Sequence, residues 1–118
     1  MQMQPRLAII ADDLTGALDT GVAFAARGWR TLVRFVGEDG RPETPSSLPL
    51  FHAARERTLP HPSSLSCDAL VWDTETRHAD EEEARGIVRQ VCDHPSVRAA
   101  PRAYKKIDST LRGPWLAE

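Results

Sequence analysis

Three short stretches carry the residues that can do chemistry. They are Asp12-Asp13-Leu14-Thr15-Gly16, Asp73-Thr74-Glu75-Thr76-Arg77, and Asp108-Ser109-Thr110-Leu111-Arg112-Gly113 with Lys105 and Lys106 just before it. Adjacent carboxylates such as Asp12 and Asp13 accept hydrogen bonds from hydroxyl groups, and one held against a reacting hydroxyl serves as a general base. Arg77 and Arg112 offer planar forks that match a carboxylate. The Ser-Thr-x-Arg-Gly turn adds hydroxyls and backbone N–H groups, a set suited to an anion. Plainer roles compete with each of these. An Asp after a strand caps the next helix, a lone Arg is most often a surface charge, and Gly16 serves a tight turn as readily as a ligand.

The elements that must position these groups are legible from the apolar pattern. Leu7–Ala11 is a continuous apolar run, the mark of a buried parallel strand. A helix follows from Thr15-Gly16 to about Arg27, with Leu18, Val22 and Ala25 on one face and Ala17, Gly21 and Phe24 flanking it. Gly28 stops it, and Thr31–Val36 is the second strand. Ala69–Asp73 is a third strand. A helix capped by Asp80 and Glu83 follows, with Ala84, Ile87, Val88 and Val91 as its apolar stripe, and Pro95 ends it. The last strand covers about Ala103–Ile107. Lys105 and Lys106 are neighbours on it, so they point to opposite faces, and one of them at most enters a common site. Between Gly37 and Ser66 glycine, proline and serine dominate, and a short strand at about Pro49–His52 is the only element expected there. Strands alternating with helices imply an α/β fold: three layers, a mostly parallel sheet with helices on both faces, Rossmann-like. Ligands in such sheets bind beyond the carboxyl ends of the strands, where all three polar stretches fall.

Composition narrows the function. The chain has 118 residues and a formal net charge of −2, enough for one domain and without the basic tract that nucleic acid requires. No apolar run reaches the roughly 18 residues of a membrane span. Cys67 and Cys92 lack metal-ligand spacing and read as free thiols of a reducing cytoplasm. The four histidines likewise lack it, so no metal set is assigned. His78, beside Arg77, is expected to be a solvated loop residue. The tryptophans are expected in packing roles. Neither a G-x-x-x-x-G-K-[ST] loop nor a G-x-G-x-x-G fingerprint occurs in the chain.

Together the motifs resemble those of the four-carbon acid sugar kinase family. Ile10–Ala17 with Asp19 is similar to its N-terminal signature, Asp73–Arg77 to its second motif and Lys105–Gly113 to its third. One position departs: the family usually has Asn after the Arg-Gly, and Pro114 stands here. The resemblance implies an N-terminal sugar-acid-binding domain, residues 1–118. Its nucleotide-binding partner, a larger C-terminal domain, is expected to be missing from a truncated chain that would be inactive alone. It implies ATP and Mg²⁺ as cofactors, bound mostly outside this chain, and a threonate, erythronate or 3-oxo-tetronate as substrate. Carried over by position, Asp12 and Asp13 bind substrate hydroxyls, one of them as base. Arg77 grips the substrate carboxylate, and Lys106, Asp108, Ser109 and Arg112 complete the wall. Phosphoryl transfer rests on positioning and charge neutralisation, which suits such a set. Two alternatives are a phospho-receiver-like signalling domain, with Asp73 as phosphate acceptor beside Asp12, Asp13 and Lys106, and a non-catalytic ligand-binding fragment.

Overall fold

A computed structural model describes residues 4–36, 42–50 and 67–118, with backbone alone for 42–50. In chain order the elements are strand β1 (Leu7–Ala11), helix α1 (Leu14–Ala25), strands β2 (Thr31–Val36), β3 (Pro42–Leu50) and β4 (Ala69–Asp73), helix α2 (Glu81–Asp93), the short helix α3 (Pro95–Arg98) and strand β5 (Ala103–Lys106).

The strands form one sheet in the order β3-β2-β4-β1-β5. β1 pairs in parallel with β4 and β5, and β2 in parallel with β4; β3 is antiparallel to β2. The expected α/β architecture holds. β3 was not foreseen over its full length, because prolines at 42, 45 and 49 read as turn residues. It lies at the sheet edge, where a residue without an N–H is tolerated. The rest of the expected Pro49–His52 strand, residues 51 and 52, lies outside the described residues.

Period-two alternation sends side chains to two cores. Ile9, Ala11, Val33 and Val71 pack with Ala17 of α1, while Ala8, Ile10, Leu32, Leu70 and Trp72 pack with Val91 of α2 and Val97 of α3. Helices therefore cover both faces. Trp72 is fully buried, so it is a core residue, and burying a side chain of that size is worth several kcal/mol, roughly the 3–5 lost on its truncation to Ala. On α1 the inward face is Gly16, Ala17, Gly21 and Ala25, with Leu18 and Phe24 beside them, and Val22 is exposed. The stripe read from Leu18-Val22-Ala25 is thus rotated. Small residues let this helix lie close to the sheet, and close approach outweighs side-chain size. α2 follows its expected pattern: Ala84, Val88 and Val91 are buried, and the Asp80 carboxylate accepts the Glu83 N–H at 2.8 Å. Gly28 has φ 84°, the left-handed conformation of a helix stop.

The connections set the place of the site. From β1 the chain crosses by α1 to β2 on one side; from β4 it crosses by α2 and α3 to β5 on the other. β1 and β4 are neighbours, so the crossovers diverge between them. That divergence opens a crevice at their carboxyl ends.

Candidate functional site

Asp12 and Asp13 follow β1, Asp73 ends β4 and Asp108 follows β5, so all three polar stretches meet at this crevice. The chain after β4 turns back over β1: the N–H groups of Thr76 and Arg77 both donate to the Asp12 carbonyl, at 3.0 and 3.2 Å. That turn delivers the Arg77 guanidinium to three carboxylates. Nη2 lies 3.3 Å from Asp12 Oδ1 and 3.5 Å from Asp108 Oδ1, and Nη1 lies 2.8 Å from Asp13 Oδ2. Burial opposes the Arg77 charge, but the Asp12 hydrogen bond and the three carboxylates outweigh it and raise its pKa.

The two aspartates after β1 divide the work. Asp13 is the N-cap of α1, its Oδ1 accepting the Gly16 N–H at 2.8 Å. Asp12 is buried and faces Arg77. Side-chain exposure is 2% for Asp12 and 18% for Asp13, so a solute reaches Asp13 first. A Cβ on Gly16 would sit 2.8 Å from Asp13 Oδ1 and 3.6 Å from Lys106 Cγ, so glycine is what lets the cap close. Helix capping and site formation are served by the same residues here.

Beyond β5, Asp108 organises its own turn. It accepts from Arg112 N (3.1 Å), Arg112 Nε (2.8 Å), Arg112 Nη2 (3.1 Å) and Thr110 Oγ1 (2.5 Å). The Arg112 and Thr110 hydrogen bonds hold its pKa well below the usual carboxylate range. The Arg112 side chain is 66% exposed even so, leaving part of its fork open to solvent. Ser109 is exposed on the same turn. Gly113, at φ 83°, packs on the second motif: a Cβ there would lie 2.5 Å from the Arg77 carbonyl oxygen. From Pro114 the chain makes a single turn, closed by Ala117 and Glu118 N–H groups on the Pro114 carbonyl.

The lysines separate as period two requires. Lys106 lies on the α1 side, near Gly16, and its Nζ donates to the Ile107 carbonyl at 2.7 Å. Lys105 instead pairs with Glu118, whose Oε1 accepts from Thr76 Oγ1 at 2.5 Å. Thr76 Oγ1 is also 2.8 Å from Thr74 Oγ1, which donates to the Ala11 carbonyl. Thr74, Thr76 and Glu118 were not foreseen; the Thr-x-Thr spacing, which puts two hydroxyls on one side of an extended chain, was the available signal. His78 is exposed in the loop, as expected.

A domain model described as "sugar-binding N-terminal domain" matches residues 7–118. The chain belongs to that family. It is 32% identical over 114 residues to a D-threonate kinase of Bordetella bronchiseptica, covering 97% of this chain and 24% of the relative. D-threonate kinases of Cupriavidus necator and Salmonella typhimurium are each 34% identical, over 110 and 109 residues, covering 93% and 92% of this chain and 21% of each relative. The chain thus spans less than a quarter of the length of the curated relatives it matches. No solved structure matches it. The family resemblance read from the three motifs is borne out.

Among the described residues no group of three or more His, Cys, Asp or Glu side chains is arranged to hold a metal ion, and no helix is long and apolar enough to cross a membrane. The aspartates that cluster are already shared with arginine, a donor set unsuited to Mg²⁺. Cys67 is buried, which pushes its thiol up to about 11, and Cys92 is exposed; neither is in a disulfide.

Proposed function

We propose that the crevice binds the sugar acid of a four-carbon acid sugar kinase, with D-threonate the first candidate from the names of the relatives. The observation that carries this reading is the junction of three strand ends on one guanidinium, Arg77, with Asp12, Asp13 and Asp108 around it. Arg77 is 14% exposed and its fork is occupied, so in this proposal it organises the acidic wall. The Arg112 guanidinium, held along one edge by Asp108 but 66% exposed, meets the substrate carboxylate with Lys106 and Ser109. Asp13, the more accessible of the pair, accepts a substrate hydroxyl and is the candidate base; Asp12 fixes the Arg77 orientation.

ATP and Mg²⁺ enter through the kinase name of the relatives. The chain carries neither of the Gly-rich phosphate loops, and its clustered aspartates are held by arginine, so this proposal assigns that chemistry to protein outside these 118 residues. A cytoplasmic location belongs to the same proposal, in keeping with two cysteines outside any disulfide. The signalling alternative is disfavoured by geometry. Asp73 is 0% exposed, and the strand order departs from the 2-1-3-4-5 of flavodoxin-like sheets.

The test is phosphorylation of a panel of tetronates by the intact protein, followed by ³¹P NMR. Transfer to D-threonate or a stereoisomer is expected, with Asp13→Asn lowering kcat at least a hundredfold, the scale of general-base loss. Transfer to non-acidic sugars alone would overturn the sugar-acid reading.

A further inference from the structure

Asp73 is the carboxyl group the site leaves unexplained. It is 0% exposed and ends β4 directly opposite Ala11 on one side and Phe35 on the other. Its Oδ1 accepts the Glu75 N–H at 3.1 Å, while Oδ2 is buried with no donor among the described residues. Asp12, Asp13 and Asp108 each have arginine within 3.5 Å, yet no cation among the described residues pairs with Asp73. An ionised carboxylate in that position would be buried with one oxygen unsatisfied and no counter-charge, which is strongly unfavourable. A proton on Oδ2 removes both problems and converts the orphan acceptor into a donor. Glu75, whose own N–H lies 3.1 Å from Oδ1, is the acceptor in reach of that proton. Glu75 itself is held at φ 51°, a left-handed conformation costly for a non-glycine residue. Something must hold it there.

We propose that Asp73 and Glu75 share one proton, and that this acid–carboxylate pair positions Arg77. It fixes the 74–77 turn in the shape that brings the guanidinium to Asp12, Asp13 and Asp108. Asp73 touches no substrate in this account; it acts through the turn. The surrounding charges agree. Burial comes first, then the hydrogen bond shared with Glu75 and the negative charges of Glu75 and Asp13, and they push Asp73 up to about 8. Arg34 and His94 lie with Trp72 on the opposite face of the sheet, and Lys106 sits two strands away on β5. When the shared proton leaves, two carboxylates face each other across the turn and the turn loosens.

The test uses intact protein labelled with [4-¹³C]aspartate, the Asp73 signal being assigned by its absence in Asp73→Asn. The expected midpoint is near pH 8, and Glu75→Gln moves it down. A midpoint near pH 4 would overturn the proposal. Amide exchange at Thr76 and Arg77, whose N–H groups are bonded to Asp12, reads the turn without any ligand. Relative to Asp73→Asn at the same pH, exchange accelerates above pH 8 in the wild type; equal rates throughout would overturn the positioning role. The last arm rests on the proposed sugar-acid reading. D-threonate affinity falls about tenfold per pH unit above the midpoint if binding needs the protonated pair, and Asp73→Asn, a neutral isostere, stays flat. Failure of this arm alone, with the first two holding, refutes the ligand assignment and leaves the proton pair standing. Should Asp73→Asn not fold, Glu75→Gln tests the same role: the pH at which exchange accelerates must fall with the midpoint, and an unmoved exchange profile would overturn it.

Discussion

Asp12 and Asp73 stand at the carboxyl ends of neighbouring strands, and both are buried, at 1% and 0% exposure. They solve burial in opposite ways. Asp12 has the Arg77 guanidinium at 3.3 Å and backbone N–H groups on its carbonyl. Asp73 has one N–H from Glu75 and no arginine. The first thus has a cation to answer its charge, and the second has none among the described residues. The contrast shows that burial alone does not decide the state of a carboxyl group; the reach of the nearest guanidinium does. It also separates two tasks within one crevice. The aspartates around Arg77 form the acidic wall, with Asp13 its most accessible member, and Asp73 secures the turn that carries their common counter-ion.

Removing the counter-ion breaks the comparison most severely. Arg77→Leu leaves three carboxylates without their shared cation, and a loss of about 3–5 kcal/mol is expected, as for a buried pair stripped of one member. Urea denaturation at pH 7 measures it. Gly113→Ala comes next. The added methyl meets the Arg77 carbonyl at 2.5 Å and strains a residue at φ 83°, so about 1–3 kcal/mol should be lost, with D-threonate binding weakened in parallel by calorimetry.

The paired substitutions Asp12→Asn and Asp73→Asn sharpen the comparison directly. At pH 6 the first should cost about 1–3 kcal/mol through the weakened Arg77 contact; the second should be neutral to stabilising. The pH dependences of the Asp73 and Asp108 contributions should differ in sign. The Asp73 pKa is raised in the folded protein to about 8, against an unfolded value of about 4. Wild-type stability is therefore full below pH 4 and declines as pH rises to about 8, a decline that Asp73→Asn removes. The Asp108 pKa is depressed by Arg112 and Thr110, so its contribution is present above about pH 4 and lost in acid. Thermal melts across pH 3–9 resolve the two slopes. The smallest effect is expected far from the crevice: Asp80→Ala removes the α2 cap for about 1 kcal/mol without altering ligand affinity.

Much of this was legible in the sequence, and the failures are instructive. Apolar runs ending in aspartate gave β1 and β4, and Asp80 with Glu83 gave the start of α2. The strand-end rule alone brings Asp12, Asp13, Arg77 and Asp108 to one place. β3 was hidden because proline signals turns except at a sheet edge, and edge position is a property of the whole sheet. The inward face of α1 was misjudged because Gly16, Ala17 and Gly21 bury through closeness, whereas hydropathy favours Val22. The occupancy of Arg77 was hidden for a related reason. A sequence shows that an arginine is available to a ligand, but not that three aspartates from two other segments already hold it. The unpaired state of Asp73 depends on distances of the same kind.

The central claim is that Arg77 is internal to the site while Arg112 faces the substrate. A crystal structure of the intact protein with D-threonate tests it most directly. The account predicts the sugar-acid carboxylate on Arg112 and Lys106, a hydroxyl on Asp13, and Arg77 still bridging Asp12, Asp13 and Asp108. A ligand carboxylate on Arg77, with the three aspartates released, would contradict it, as would a sugar acid bound anywhere other than this crevice.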